Sequence, residues 1–331
     1  MQALNESLRS EDLTICSVYH REENSNLLSL NWELTRQLNK QANVRWIAID
    51  NSPRSRNVSP PEGDFEVFPG YDIGEFEKAY TKPIVYPFHA SSALNSLLPH
   101  CRTRFVLFLD ADFFLVRPQW VTEIITHMQN QGLATIGAPW HPQYPAKRRY
   151  YPAHACMFID TQYIPAMELN FHPEYPFRKT HRIKNPGGAF PVRRRSADSF
   201  LGKVWKNIVT RWDVGSSRDV SYRVAMLLEE SGLGIELFQP VWKSADQVRG
   251  ANRILDSFLP ERFSIAPKRE KYFSSRGFSE LGFPDFYDRG MEEYIWNDKP
   301  VGIHIRNTWK KIEITQEFAF LRDSLFSFVE R

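Results

Sequence analysis

Arg104-Phe-Val-Leu-Phe-Leu-Asp-Ala-Asp112 is the stretch that decides the fold. Phe105 to Leu109 is apolar at every position, with none of the alternation of a strand that shows one face to water. Such a strand belongs in the middle of a sheet covered by helices on both sides. It runs directly into two carboxylates, Asp110 and Asp112. If strand geometry continues through Ala111, the i and i+2 spacing puts both side chains on one side. There they can converge on a hard divalent cation such as Mn²⁺ or Mg²⁺, which takes oxygen ligands and often shares them with substrate phosphates. The plain alternative is a pair of strand-end aspartates that solvate a turn.

Working outward, the flanking segments alternate in kind. Leu13 to Tyr19 reads as a β-rich strand, and Leu27, Leu30, Leu34 and Leu38 then recur at helical spacing between about Ser25 and Asn39. Val44 to Ile49 is a second strand that runs into the turn cluster Asp50-Asn51-Ser52-Pro53. Residues 53 to 83 read mainly as loop, with a short strand at Phe65 to Phe68. Helices are expected at His89 to Leu98 and Pro118 to Gln129, and strands at Ala134 to Ala138 and Cys156 to Ile159. This order predicts an α/β fold, a mostly parallel central sheet flanked by helices. In open sheets of that kind ligands sit outside the carboxyl ends of the strands. Three such ends carry suitable groups: Tyr19-His20, Asp50-Asn51 and Asp110-Ala111-Asp112.

Beyond residue 160 the character changes. Arg178, Lys179, Arg182, Lys184, Arg193, Arg194 and Arg195 form a basic loop around Gly187-Gly188. It is either a solvated loop or one that folds over an anionic ligand or approaches an acidic membrane surface. A helix from Ser217 to Ser231 is expected to stop before Gly232, with a strand at Gly234 to Phe238. The last ninety residues read as an irregular C-terminal extension until a strand at Val301 to Ile305 and a helix at Gln316 to Val329.

Composition narrows the function. With 331 residues, 42% hydrophobic and 24% charged, the chain can bury a substantial core, and disorder is excluded. A net charge of +3 is too mild for a nucleic-acid binder. Three cysteines, Cys16, Cys101 and Cys156, show no zinc spacing, and Cys16 and Cys156 read as small core residues in a reducing compartment. The polar start and the lack of a long apolar run point to a cytoplasmic protein, with peripheral attachment at the inner face of a membrane left open. No phosphate-binding Gly-Lys loop, dinucleotide fingerprint after a strand or nucleophile elbow is present.

Ser17-Val-Tyr-His-Arg-Glu-Glu23, Trp46-Ile-Ala-Ile-Asp-Asn-Ser52 and Ala93-Leu-Asn95 ahead of Phe108-Leu-Asp-Ala-Asp112 together resemble the nucleotide-binding half of GT-A glycosyltransferases, most closely family 2, over residues 13 to 240. The resemblance implies one GT-A (Rossmann-like) catalytic domain over 1–331, with 13–160 the nucleotide-binding half and 161–331 the acceptor half and extension. It implies metal-dependent transfer of a sugar from a nucleotide-sugar donor, UDP-linked, to a saccharide or lipid-linked glycan acceptor, as in bacterial surface polysaccharide synthesis. Val18, Tyr19 and Asp50 would then bind the base, with Asn95 and Arg306 also on the donor. Asp110 would face ribose and metal, and Asp112 would ligate the Mn²⁺ or Mg²⁺ with a late histidine, His304. An inverting enzyme needs a carboxylate base. The family pattern falls on Trp212-Asp-Val-Gly-Ser-Ser-Arg-Asp219, where Arg218 departs from it, and Asp219 is favoured over Asp213. Apart from the resemblance, Trp140 and His154 carry rings that can stack on sugar faces and are candidates for the donor-sugar or acceptor pocket, with core packing the alternative for Trp140. The competing readings are a sugar nucleotidyltransferase and a non-catalytic carbohydrate- or nucleotide-binding relative.

Overall fold

The computed structural model describes residues 13–79, 82–142, 150–173, 220–243, 273–305 and 314–329. Asp213, Asp219, Arg306 and the basic loop 178–195 lie outside them. A seven-stranded sheet is built from β1 (Leu13–Tyr19), β2 (Val44–Asp50), β3 (Phe65–Pro69), β4 (Phe105–Leu109), β6 (Leu133–Pro139), β7 (Pro152–Asp160) and β8 (Gly234–Leu237), in the order β3-β2-β1-β4-β7-β6-β8. The strands β3, β2, β1 and β4 run parallel, as do β6 and β8, while β7 runs antiparallel to both of its neighbours. The α/β class and the central place of the Phe105–Leu109 strand are as expected, and all five of its residues are buried. The reversed β7 is the departure from an all-parallel sheet. It places the start of β7, around His154, at the carboxyl end of β4.

Two helix layers cover this sheet. In α1 (Glu22–Leu38), Leu28, Leu30, Leu34 and Leu38 form the buried stripe, and Asn31 on the same face donates to the Phe113 carbonyl at 2.7 Å. The other face carries α3 (Lys82–Leu97), whose Ala93, Leu94 and Leu97 pack with Cys16, Ile47 and Phe108. A short helix α2 (Ile73–Ala79) lies in the stretch expected to be loop. The helices α4 (Trp120–Gln131) and α5 (Tyr222–Ser231) both end at a glycine with positive φ, Gly132 and Gly232, where a Cβ would be strained. Gly137 in β6 has a different reason: a Cβ there would lie 2.1 Å from the Cys156 carbonyl oxygen of β7.

A second, four-stranded antiparallel sheet follows the order β5-β11-β10-β9, from β5 (Phe113–Leu115), β9 (Gln239–Pro240), β10 (Glu292–Trp296) and β11 (Lys299–His304). A terminal helix α6 (Ile314–Phe326) follows. This sheet replaces part of the expected irregular extension. Its hairpin turns on Asn297 and Asp298, both at positive φ, as a two-residue hairpin loop requires. Arg117, nearly buried, holds that hairpin by donating to the carbonyls of Trp296, Lys299 and Pro300. Nearby, the buried Glu293 carboxylate accepts the backbone N–H groups of Phe278, Phe286 and Tyr287 at 2.7–3.1 Å.

Candidate functional site

The strands β2, β1 and β4 are adjacent and parallel, so their carboxyl ends share one edge of the sheet. On β1, alternation sends Tyr19 into the α1 layer and Val18 toward the α3 layer. Tyr19 is paired in register with Asp50. Burial raises its phenol, and the hydrogen-bonded Asp50 charge raises it further. The Asp50 carboxylate also accepts the Ser52 N–H at 3.0 Å, which fixes it at the mouth of the turn.

Behind this turn, the Asn51 amide oxygen takes the Tyr71 N–H, leaving its nitrogen to donate to His89 Nδ1 at 3.1 Å. His89 Nε2 lies 2.7 Å from the Tyr71 carbonyl, so the proton sits on Nε2. Burial accordingly lowers the His89 pKa. At the end of β1, burial and the Arg21 charge lower His20 to about 4, while Glu23 and Asp112 oppose them. The imidazole beside the acids is therefore neutral at pH 7.

At the end of β4 the chain does not stay extended. The Phe113 N–H bonds the Asp110 carbonyl at 3.0 Å, closing a turn around Ala111. The convergence of Asp110 and Asp112 thus comes from that turn and from β11 alongside it, instead of from strand alternation. In the second sheet His304 is paired with Phe113, and the Ile305 N–H bonds the Asp112 carbonyl at 2.9 Å. This register sets the His304 imidazole against the aspartates: Nε2 is 3.3 Å from Asp112 Oδ1. Ligand atoms of Asp110, Asp112 and His304 all lie within 4.8 Å of one another. Two carboxylates and one imidazole suit a divalent cation such as Mn²⁺, and both aspartates are partly exposed while His304 is buried.

His154, on β7, approaches the same cluster, with Nε2 4.0 Å from Asp110 Oδ2. Its other nitrogen meets Ser221 Oγ at 3.0 Å, and that hydroxyl also accepts the His154 N–H. Ser221 Oγ thus bonds both the backbone and the ring of His154 and sets the side of the imidazole that faces Asp110. Ser221 holds this place from a left-handed conformation, φ 71°, just before α5. Trp140 packs edge-on against His154, whereas the neighbouring His141 is buried and bonded to the Val241 carbonyl.

The Asn95 side-chain oxygen accepts the Phe171 N–H at 2.9 Å and ties α3 to the segment after β7. Sequence reasoning did not single out Ser221, because its contact with His154 depends on a backbone conformation that carries no local signal.

Residues 85–202 match the family model for glycosyl transferase family 2. No curated protein sequence matches the chain. Similar solved structures include mouse xyloside xylosyltransferase 1 in its apo form, 10% identical, covering 80% of this chain and 94% of that one at a TM-score of 0.38. Another is the mannosyltransferase PcManGT from Pyrobaculum calidifontis in complex with GDP-Man and Mn²⁺, 9% identical, covering 51% and 52% at 0.32. A third is S. aureus TarS in complex with UDP, 10% identical, covering 48% and 49% at 0.31. The chain spans about half the length of the last two. All three superpositions are loose, and the architecture rests on the strand order and register above.

Proposed function

We propose that the chain is a metal-dependent glycosyltransferase that moves a sugar from a nucleotide donor, UDP-linked, to a saccharide or glycolipid acceptor. The observation that carries this reading is the Asp110, Asp112 and His304 cluster at the carboxyl edge of the sheet, one strand away from the Tyr19 and Asp50 pair. The family match over residues 85–202, which include both aspartates, supports it.

In this reading Val18, Tyr19 and Asp50 bind the nucleobase, and Asp110 faces the ribose. A divalent cation held by Asp110, Asp112 and His304 would supply positive charge opposite the diphosphate that departs. The neutral His20 and the imidazole of His154 add polar groups to the rim. The acceptor oxygen attacks the anomeric carbon as a carboxylate, Asp219 or Asp213, removes its proton, and a single displacement inverts the anomer.

The test is donor binding and turnover. UDP with Mn²⁺ should raise the melting temperature of the wild-type protein, and Asp112→Ala should abolish that rise. A panel of nucleotide sugars then identifies the donor, with the product anomer read by NMR. Asp112→Ala should lower the transfer rate by about 10³-fold, the scale on which charge stabilisation at a leaving group acts. Pyrophosphate release from a nucleoside triphosphate and a sugar phosphate would instead mark a nucleotidyltransferase.

A further inference from the structure

The imidazole that faces the aspartates is itself held from behind. His304 Nδ1 lies 3.1 Å from Glu292 Oε2, and the same oxygen takes the Tyr294 hydroxyl at 2.9 Å. Glu292, Tyr294 and His304 are each at most 2% exposed. All three come from one hairpin, in which Glu292 is paired directly with His304. A carboxylate inside a strand is costly unless every lone pair and charge is answered. Apolar packing alone would be served by an aliphatic residue. The carboxylate therefore has work at His304 Nδ1.

We propose that Glu292 is a positioning residue for the cation site: it draws the proton of His304 to Nδ1 and presents the bare Nε2 lone pair to the space between Asp110 and Asp112. This rests on the reading of those three residues as a cation site. An imidazole binds a cation only through an unprotonated nitrogen, and a carboxylate on the far nitrogen both fixes the ring and raises its basicity. Tyr294 sets the Glu292 carboxylate in turn. The hairpin of the second sheet thus decides how a ligand brought from nearly two hundred residues downstream meets the acids of the first.

The experiment measures Mn²⁺ affinity of the metal-free protein, by electron paramagnetic resonance titration without any donor, alongside circular dichroism to confirm folding. Glu292→Ala should weaken Mn²⁺ binding about 10- to 100-fold. Glu292→Gln, which keeps an acceptor for Nδ1–H, should recover part of that loss, and Tyr294→Phe should cost less than Glu292→Ala. In the wild-type protein saturated with Mg²⁺ at pH 8 the ¹⁵N spectrum should show His304 with Nδ1 protonated and no proton on Nε2, which in the metal-free protein also faces Asp112 Oδ1 at 3.3 Å. A folded Glu292→Ala variant that binds Mn²⁺ as tightly as wild type overturns the proposal, as does any other protonation pattern on His304 in the Mg²⁺-loaded wild type. Should Glu292→Ala fail to fold, Glu292→Gln and the wild-type spectrum decide. Wild-type protein that does not bind Mn²⁺, or Asp112→Ala protein that binds it undiminished, overturns the cation site itself. Loss in Asp112→Ala with no change in the Glu292 variants overturns only the role of Glu292.

Discussion

The two sheets contribute to one site in opposite ways. The seven-stranded sheet offers carboxylates at or just past its strand ends, Asp50, Asp110 and Asp112, which water reaches beside apolar strands. The four-stranded sheet carries its polar groups inside the strands, with Glu292, Glu293 and His304 buried. Acids at strand ends are inexpensive and can vary with the ligand. Buried acids inside a strand persist only where their partners answer them, so they mark places where geometry must be held. In the site proposed above, the first sheet would supply the ligating acids and the second would fix the angle at which they are met.

The sharpest way to break that contrast is to remove a buried acid that has no part in the cluster. Glu293→Ala strands the N–H groups of Phe278, Phe286 and Tyr287, each of which loses its carboxylate acceptor. At about 1–3 kcal/mol for each unsatisfied buried group, the loss should be roughly 3 kcal/mol or more, read in chemical denaturation. A loss below about 1 kcal/mol would mean that the second sheet is not held by its buried acids.

The matching change in the first sheet is Asp160→Ala. Asp160 is fully buried, but its partner Arg104, bonded at 2.7 Å, has a half-exposed side chain that water can re-solvate. The Gln162 N–H also loses its acceptor. The expected cost is about 1–2 kcal/mol, and a cost equal to that of Glu293→Ala would erase the distinction between the sheets.

The smallest effect expected is a pH slope at the rim of the first sheet. His89 is buried neutral, with Nδ1 facing the Asn51 amide donor, so its folded pKa lies below the unfolded value. The unfolded chain binds the proton first as pH falls. The stability from the neutral ring is therefore complete above the ordinary histidine range and is lost as pH falls through it toward the depressed folded value. His172, lowered by burial and the Arg223 charge, adds in the same direction. Melting temperature should decline between pH 7 and pH 5, with a shallower slope in His89→Gln. Identical slopes would remove His89 from the account.

Most of the first sheet was legible, because each strand and helix there declares itself by local periodicity. The Phe105–Leu109 run, the leucine stripe of α1 and the glycine stops of α4 and α5 are all local signals. The helix α2 was less so, since seven residues mixed with acids give no periodic pattern. In the second sheet the short strands β5 and β9 are too brief for any period to show. The Asn95 bond to the Phe171 N–H is equally illegible, since it joins residues 76 positions apart.

By itself, the sequence determined that an apolar strand would end in paired aspartates on the same edge as Tyr19 and Asp50. Alternation and burial patterns act over a few residues, and strand polarity follows from the intervening helices. Only the tertiary structure decided that Asp110 and Asp112 converge through a turn, that His304 stands 3.3 Å from Asp112, and that Glu292 stands behind it. Those facts depend on the register of β5 against β11, whose residues lie nearly two hundred positions apart. No local pattern encodes such a pairing. It is set by which buried polar groups can be satisfied together when the two sheets pack.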